Sequence, residues 1–347
     1  MMRYFRYWFN LKRGDGRYAR EITRQMRWPP QTKTLLCCVL VVFFPSFVAG
    51  ARGNPLDRKR NNQQVERTVG ADPHVVVTAC VVSGNLTVHG WERPEVRARI
   101  SDGVQIELTR IDQTKSQTAT ELRLTAKGSR AMRGSSCLLI GDLELEVPRT
   151  GTVKLQTNNG EIRVTDVARV SAISQAGSIT LVKVHDQADV TVIGGEISAR
   201  DSTGSFKLGT VGGSIDVRDL GPAAVGDVLE ANTTGGEITL NRIRHQHVRV
   251  NTVSGEVRYT GPLSRGGRYS FQNLSGYLRL SLPANSSFRL AGSVGAGGDF
   301  RCDFNLKEDR PDTPKHGVTR RLDGLVGSGD ASINLSVFSG SIEIKKQ

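Results

Sequence analysis

One phrase recurs through this chain and limits what it can fold into. NTTGGEITL, Asn232–Leu240, returns as QTNNGEIRV, SQAGSITL, VIGGEISA, TVGGSIDV, TVSGEVRY, NLSGYLRL and, near the end, VFSGSIEI. Each copy runs a small polar turn into a strand of alternating apolar residues. Aligned on Gly160, Gly177, Gly195, Gly213, Gly236, Gly255, Gly276 and Gly340, the early spacings are 17, 18, 18, 23, 19 and 21 residues. A period near 20 belongs to architectures in which similar units stack on one another.

Two and four residues after the glycine come apolar pairs such as Ile162 and Val164, Ile238 and Leu240, and Ile342 and Ile344. Five and seven before it come Leu155 and Val153, Ala231 and Leu229, and Leu335 and Ile333. Every repeat thus holds two short strands, each with one face made for a core. Such a pair cannot bury that face alone. Stacking in register gives each strand two hydrogen-bonding neighbours and one shared interior, with glycine at the corner where a side chain has no room. The expectation is an all-β chain, a parallel, β-helix-like solenoid of about nine to ten short rungs and roughly 45 Å. The less regular amino-terminal strands serve as its cap. A β-sandwich of hairpins is the alternative; it uses similar strands but has no need to repeat the same residue columns.

The first 51 residues read as a secretion signal with an extended basic n-region. MRWPPQTK precedes the apolar run TLLCCVLVVFFPSFV, and AGA, ending at Ala51, supplies a small-residue cleavage site. The run is shorter than the roughly 20 residues of a membrane span and contains Pro45, so no permanent span is expected. The true start is then Met26 or the printed first residue. Residues 52–72 are polar and aperiodic, a linker, and residues 73–347 form the β-domain. The carboxyl end shows no wall-sorting signal.

Net charge is +13, but residues 1–51 hold 9 basic and 2 acidic side chains, which leaves 38 basic against 32 acidic over residues 52–347. That surplus argues against nucleic acid. Beyond the signal the cysteines are Cys80, Cys137 and Cys302. Cys80 with Cys137 is the candidate disulfide of an exported chain, since both lie in the amino-terminal strands; buried free thiols are the alternative.

GNLTVHGWERPEVRARI, the SG-E-V rungs, GPLSRGGRYSFQNLSGYLRLSLPANSSFRL followed by DFRCDFNL, and the closing GDASINLSVFSGSIEIKK occur in an order that resembles the bacterial adhesin-like β-solenoid domains of unknown function. The resemblance covers most of residues 73–347. It implies an exported, repeat-built β-domain and brings no catalytic residues with it. Cys302 departs from the family pattern, standing where a small polar residue would be ordinary.

The residues hold few candidates for chemistry. Glu237 and Glu256 each follow a turn glycine, and stacked rungs could bring them within the 5 to 9.5 Å that glycoside hydrolysis uses, with Asp201 and Asp216 as further acids. Solvated surface carboxylates are the more ordinary reading. His245 and His247 share a face of RHQHVRV if it is extended, but no third metal ligand is legible. Arg163, Arg258 and Arg279 occupy one outward column, three residues after the glycine, and Arg249 faces out from the other strand; together they are a candidate anion-binding face.

The sequence therefore points to an exported, non-enzymatic module, an adhesin or structural and binding element at the envelope, without cofactor or metal. Its place is the periplasm, the cell surface or the medium. Its expected partner is an envelope component or an extracellular polysaccharide, and self-association is open. A polysaccharide-active enzyme and a self-assembling envelope scaffold are the alternatives.

Overall fold

The computed structural model describes residues 64–347, except 102–103, 113–116, 128–136, 138, 296 and 309–318. The signal expected over residues 1–51 and most of the linker lie outside the described residues. Residues 65–72, expected in that linker, are strand instead: Val65–Ser83 is one element, and its first turn-free stretch pairs antiparallel with Glu95–Ile100. The alternation of Val65, Val69 and Ala71 is spread over too few apolar residues to show against the surrounding charge.

The described residues are all-β and contain no helix. Most pairing is parallel and in register, as between Arg268–Leu282 and Ala331–Lys346, where Phe271 meets Leu335, Gly276 meets Gly340 and Leu280 meets Ile344. The inward positions read from the sequence are the buried ones: Ile162, Val164, Leu208, Ile215, Leu240, Val250 and Ile344 are all fully buried. A simple parallel coil does not describe the whole, because antiparallel strands are added at both ends, including Ile106–Arg110 on Ala119–Ala126 and Thr319–Val326 on Phe288–Gly295.

Stack order is not chain order. Val76–Ser83, in the first described strand, lies between Thr152–Asn159 on one side and Ala119–Ala126 with Leu139–Ile140 on the other. The last strand, Ala331–Lys346, lies between Arg268–Leu282 and the earlier Phe288–Gly295 and Asp299–Cys302. Each terminal segment is thus bonded on both sides, which removes the fraying a last rung would suffer. A linear repeat carries no sign of this insertion.

The turn glycines form a column. A methyl group added at Gly255 would overlap the Gly236 carbonyl, and Gly255 also has φ +136°, a region that L side chains avoid. The same overlap runs from Gly84 against Gly141, Gly160 against Gly84, and onward to Gly340 against Gly276. Gly84 and Gly141 therefore belong to the column, though the sequence period did not include them. Inside this corner, three residues before the glycine, sit buried polar side chains. Thr210 and Thr233 donate to the Gly195 and Gly213 carbonyls at 3.2 and 3.3 Å, and Asn273 donates to Gly255 at 2.9 Å. They satisfy carbonyls that the turn removes from the strand ladder.

A second corner lies six residues past the glycine. Asp166, Lys183, Asp201, Asp219 and Arg242 all take left-handed backbone there, with φ of 53–62°. Buried Ser202 holds one such bend, accepting from the Val184 amide at 3.0 Å and donating to the Arg200 carbonyl at 2.7 Å. Towards the carboxyl end, Tyr259, Tyr269 and Phe271 fill the interior edge to face, with ring centres 5.7 and 5.8 Å apart. Their hydroxyls reach backbone acceptors: Tyr259 donates to Pro262 and Tyr269 to His245. Burial pushes the Tyr259 phenol far above its ordinary range.

Candidate functional site

The arginine column is built as expected but is not free. Arg163 pairs with Glu161 at 2.7 Å. Arg258 holds both Glu237 and Glu256 at 2.7 Å, and Arg279 holds Glu343 at 2.8 Å and Glu256 at 3.5 Å. Positions one and three after the glycine share a face, so Arg258 reaches Glu256 of its own rung and Glu237 of the neighbouring one, while parallel register sets Glu343 directly opposite Arg279. Hydrogen bonding to Arg279 holds the Glu343 carboxyl below its usual range, and bonding to Glu256 raises the Arg258 guanidinium. Each arginine of the column is therefore paired with carboxylate. Arg249, exposed on the other strand, has no ion pair among the described residues and stands apart from the other three.

The same ion-pair lattice takes in the acidic pair. Glu237 and Glu256 do come together, on successive rungs, but both accept from Arg258. The shared guanidinium lies against both carboxylates, and Arg279 lies 3.5 Å from Glu256 as well. Asp216 is paired with Arg218 at 2.9 Å, and Asp201 is one of the left-handed corner residues.

The two histidines part company. His245 is fully buried, its Nε2–H donating to the Gly204 carbonyl at 2.6 Å, and burial lowers its affinity for a proton. His247 begins the next strand, registered between Val228 and Arg268. Among the described residues no group of three or more His, Cys, Asp or Glu side chains is placed to hold a metal. Cys80 and Cys137 are disulfide-bonded, with Cα atoms 5.0 Å apart, and Cys302 is free and half-buried.

An open hollow of about 370 Å³ is lined by Pro222–Asp227 and by Arg244, Gln246 and Ser264. Its carboxylate is committed internally: Asp227 accepts from the Ala223 and Ala224 amides at 2.8 Å and from the Ser205 hydroxyl at 2.9 Å.

The feature that the sequence reading missed is apolar. Two residues before the turn glycine, the pleat points outward, and there stand Ile193, Val211, Val253, Leu274 and Phe338, between 41% and 67% exposed. Register makes them neighbours. Gly212 donates to Ile193, Gly235 donates to Val211, and Val253, Leu274 and Phe338 fall between paired residues of successive strands. Thr234 completes the row between Val211 and Val253. The ridge runs about 24 Å at one side chain per rung. Tyr277, 60% exposed, follows the turn glycine of the Leu274 rung, three residues along the chain from Leu274. Isolated apolar side chains on a surface mean little, but apolar residues recurring in one column of a stack form a candidate contact surface. Its signal was in the repeat itself, in the letter before each small-residue and glycine pair: VIGG, TVGG, TVSG, NLSG, VFSG.

The family model described as Toastrack DUF4097 matches residues 57–345. Among solved structures, the chain is similar to a putative adhesin from Parabacteroides merdae ATCC 43184, at 12% identity and TM-score 0.36, and to one from Parabacteroides distasonis ATCC 8503, at 9% and 0.34. In both cases 82% of this chain and 98% of the other are covered. A putative cell adhesion protein from Clostridium sporogenes ATCC 15579 matches at 11% identity and TM-score 0.26, over 82% of this chain and all of that one. No curated protein matches the chain.

Proposed function

We propose, from the premise that the chain belongs to the Toastrack DUF4097 family, that it is an exported, non-enzymatic binding module of the cell envelope, adhesin-like in its role. The single observation that carries this reading is the exposed apolar ridge of Ile193, Val211, Val253, Leu274 and Phe338, with Tyr277 exposed past the turn glycine. Its regular spacing comes from the same in-register stacking that the solenoid reading requires. Apolar and aromatic side chains in a row offer a surface on which the flat apolar faces of sugar rings can pack. The chemistry therefore favours a polysaccharide of the envelope or its surroundings as partner. The Cys80–Cys137 disulfide supports export, because such bonds persist in oxidising compartments. The capture of both turn glutamates by Arg258 favours binding over hydrolysis.

The test is co-sedimentation of the purified protein with insoluble glycans and with isolated envelopes, reading retained protein and released reducing ends together. Retention without release is the expected result. Release of sugar would overturn the non-enzymatic reading, and loss of the protein to the supernatant with every glycan and envelope would overturn the binding module.

A further inference from the structure

The two ends of the stack are finished differently. At the amino-terminal end both halves of the rung are covered by antiparallel strands: Ile106–Arg110 lies on Ala119–Ala126, and Glu95–Ile100 lies on Leu143–Pro148 and is itself covered by Val65–Gly70. At the carboxyl-terminal end one half is covered in the same way, by Thr319–Val326 and then Lys307–Glu308. The other half ends on Asp299–Cys302, which pairs with Ser341–Ile344 and with no further strand among the described residues. Beneath it Phe300, Cys302 and Leu306 are only partly buried against the core. An unpaired edge over an incompletely covered core is a template for another strand.

The backbone direction of this edge is fixed. The Asp303 amide donates inward to Ile344 at 2.9 Å, so alternation turns the Phe300 and Cys302 amides and carbonyls toward the open side. In an antiparallel pair, residues that exchange two hydrogen bonds face each other, and a two-fold axis through such a pair sets a residue opposite itself. Centring the axis on Phe300 matches its outward amide and carbonyl to those of a second Phe300. The same register sets Asp299 opposite Arg301 of the second copy, twice, at the closely spaced positions where side chains interact most. Asp299 and Arg301 are exposed and bridge each other within the strand at 2.9 Å. Charges on an edge discourage a strand of arbitrary sequence. These two are complementary to their own reverse.

We infer that Asp299–Cys302 is a self-association edge, through which two copies of this chain pair antiparallel about Phe300 into a two-fold dimer. With four residues a side the dimer is weak, and its formation does not depend on what the apolar ridge binds. The two-fold closes it, so it does not extend into a filament.

Sedimentation velocity of the purified protein over a concentration series tests this. A Cys302→Ser background removes intermolecular disulfides without reducing Cys80–Cys137. The background protein is expected to pass from monomer to dimer as concentration rises, less so at high salt. Arg301→Asp and Asp299→Arg should each weaken association about tenfold or more, because two attractions become two repulsions. The double variant Asp299→Arg/Arg301→Asp should restore it, and an equimolar mixture of the two single variants should associate better than either alone. Both side chains are exposed, so the melting temperature checks that each variant folds. A monomer at all concentrations would overturn the proposal. So would a dimer indifferent to the single substitutions, or one that the double variant fails to restore. Retention on glycans by the Arg301→Asp variant separates this outcome from that of the binding reading.

Discussion

The two corners of the rung solve the same problem in opposite ways. At the turn-glycine corner successive backbones touch, so that a methyl group at Gly255 would overlap the Gly236 carbonyl. At the second corner, six residues on, Asp166, Lys183, Asp201, Asp219 and Arg242 accept a left-handed backbone that costs a non-glycine residue roughly 1 kcal/mol. The first corner tolerates no side chain, and the second tolerates several because theirs reach solvent, as Lys183 and Asp201 do, or find charged partners, as Asp166, Asp219 and Arg242 do. Contact between rungs, not local turn preference, decides where glycine must recur.

The sharpest way to break this comparison is Gly255→Ala, which combines a forbidden backbone region with a collision against a backbone that has no freedom to move. A loss exceeding about 4 kcal/mol is expected, seen as a collapse of the urea midpoint or absence of folded protein. Next comes the place where the glycine column departs from chain order, between Gly84 and Gly141. The disulfide there joins residues 57 apart. Replacing Cys137 by Ser should cost about 4 kcal/mol by loop closure, read from the same denaturation curves. At the second corner the sign reverses: Lys183→Gly should be neutral or stabilising by up to about 1 kcal/mol, since glycine removes the left-handed penalty.

The smallest effect is a local one with pH. Hydrogen bonding to Arg242 lowers the Asp219 carboxyl below 3.8. A depressed folded value means that its contribution is complete above 3.8 and lost as pH falls through that depressed value. Amide exchange corrected for intrinsic rate should therefore accelerate at Asp219–Gly221 on acidification and hold steady at Gly236–Glu237.

Most of the interior was legible. A period near 20 and fixed apolar columns identified the buried faces from Val153 to Ile344, because stacked rungs impose the same environment on the same column. The left-handed corner was not legible, since aspartate, lysine and arginine share no property there except a solvent-facing side chain. The insertion of both terminal segments was equally silent: Val76–Ser83 and Ala331–Lys346 carry ordinary alternation, and nothing local says which neighbour a parallel strand takes. The arginine column was read as a candidate anion-binding face because sequence shows one rung at a time, whereas Arg258 pairs with Glu237 of the preceding rung. The ridge was legible and overlooked, because an outward apolar residue beside a turn looks like an accident until register lines up five of them in one column, with Thr234 among them.

The proposed reading has this ridge, and not the arginine face, meet the partner. Its most direct test compares retention on glycans and envelopes for Leu274→Lys/Phe338→Lys and for Arg249→Glu, all exposed positions, with melting temperatures confirming the fold. The ridge variant should lose at least about tenfold in retention while Arg249→Glu binds like the parent. Retention by the ridge variant together with loss in Arg249→Glu would contradict the account and return the binding face to positive charge.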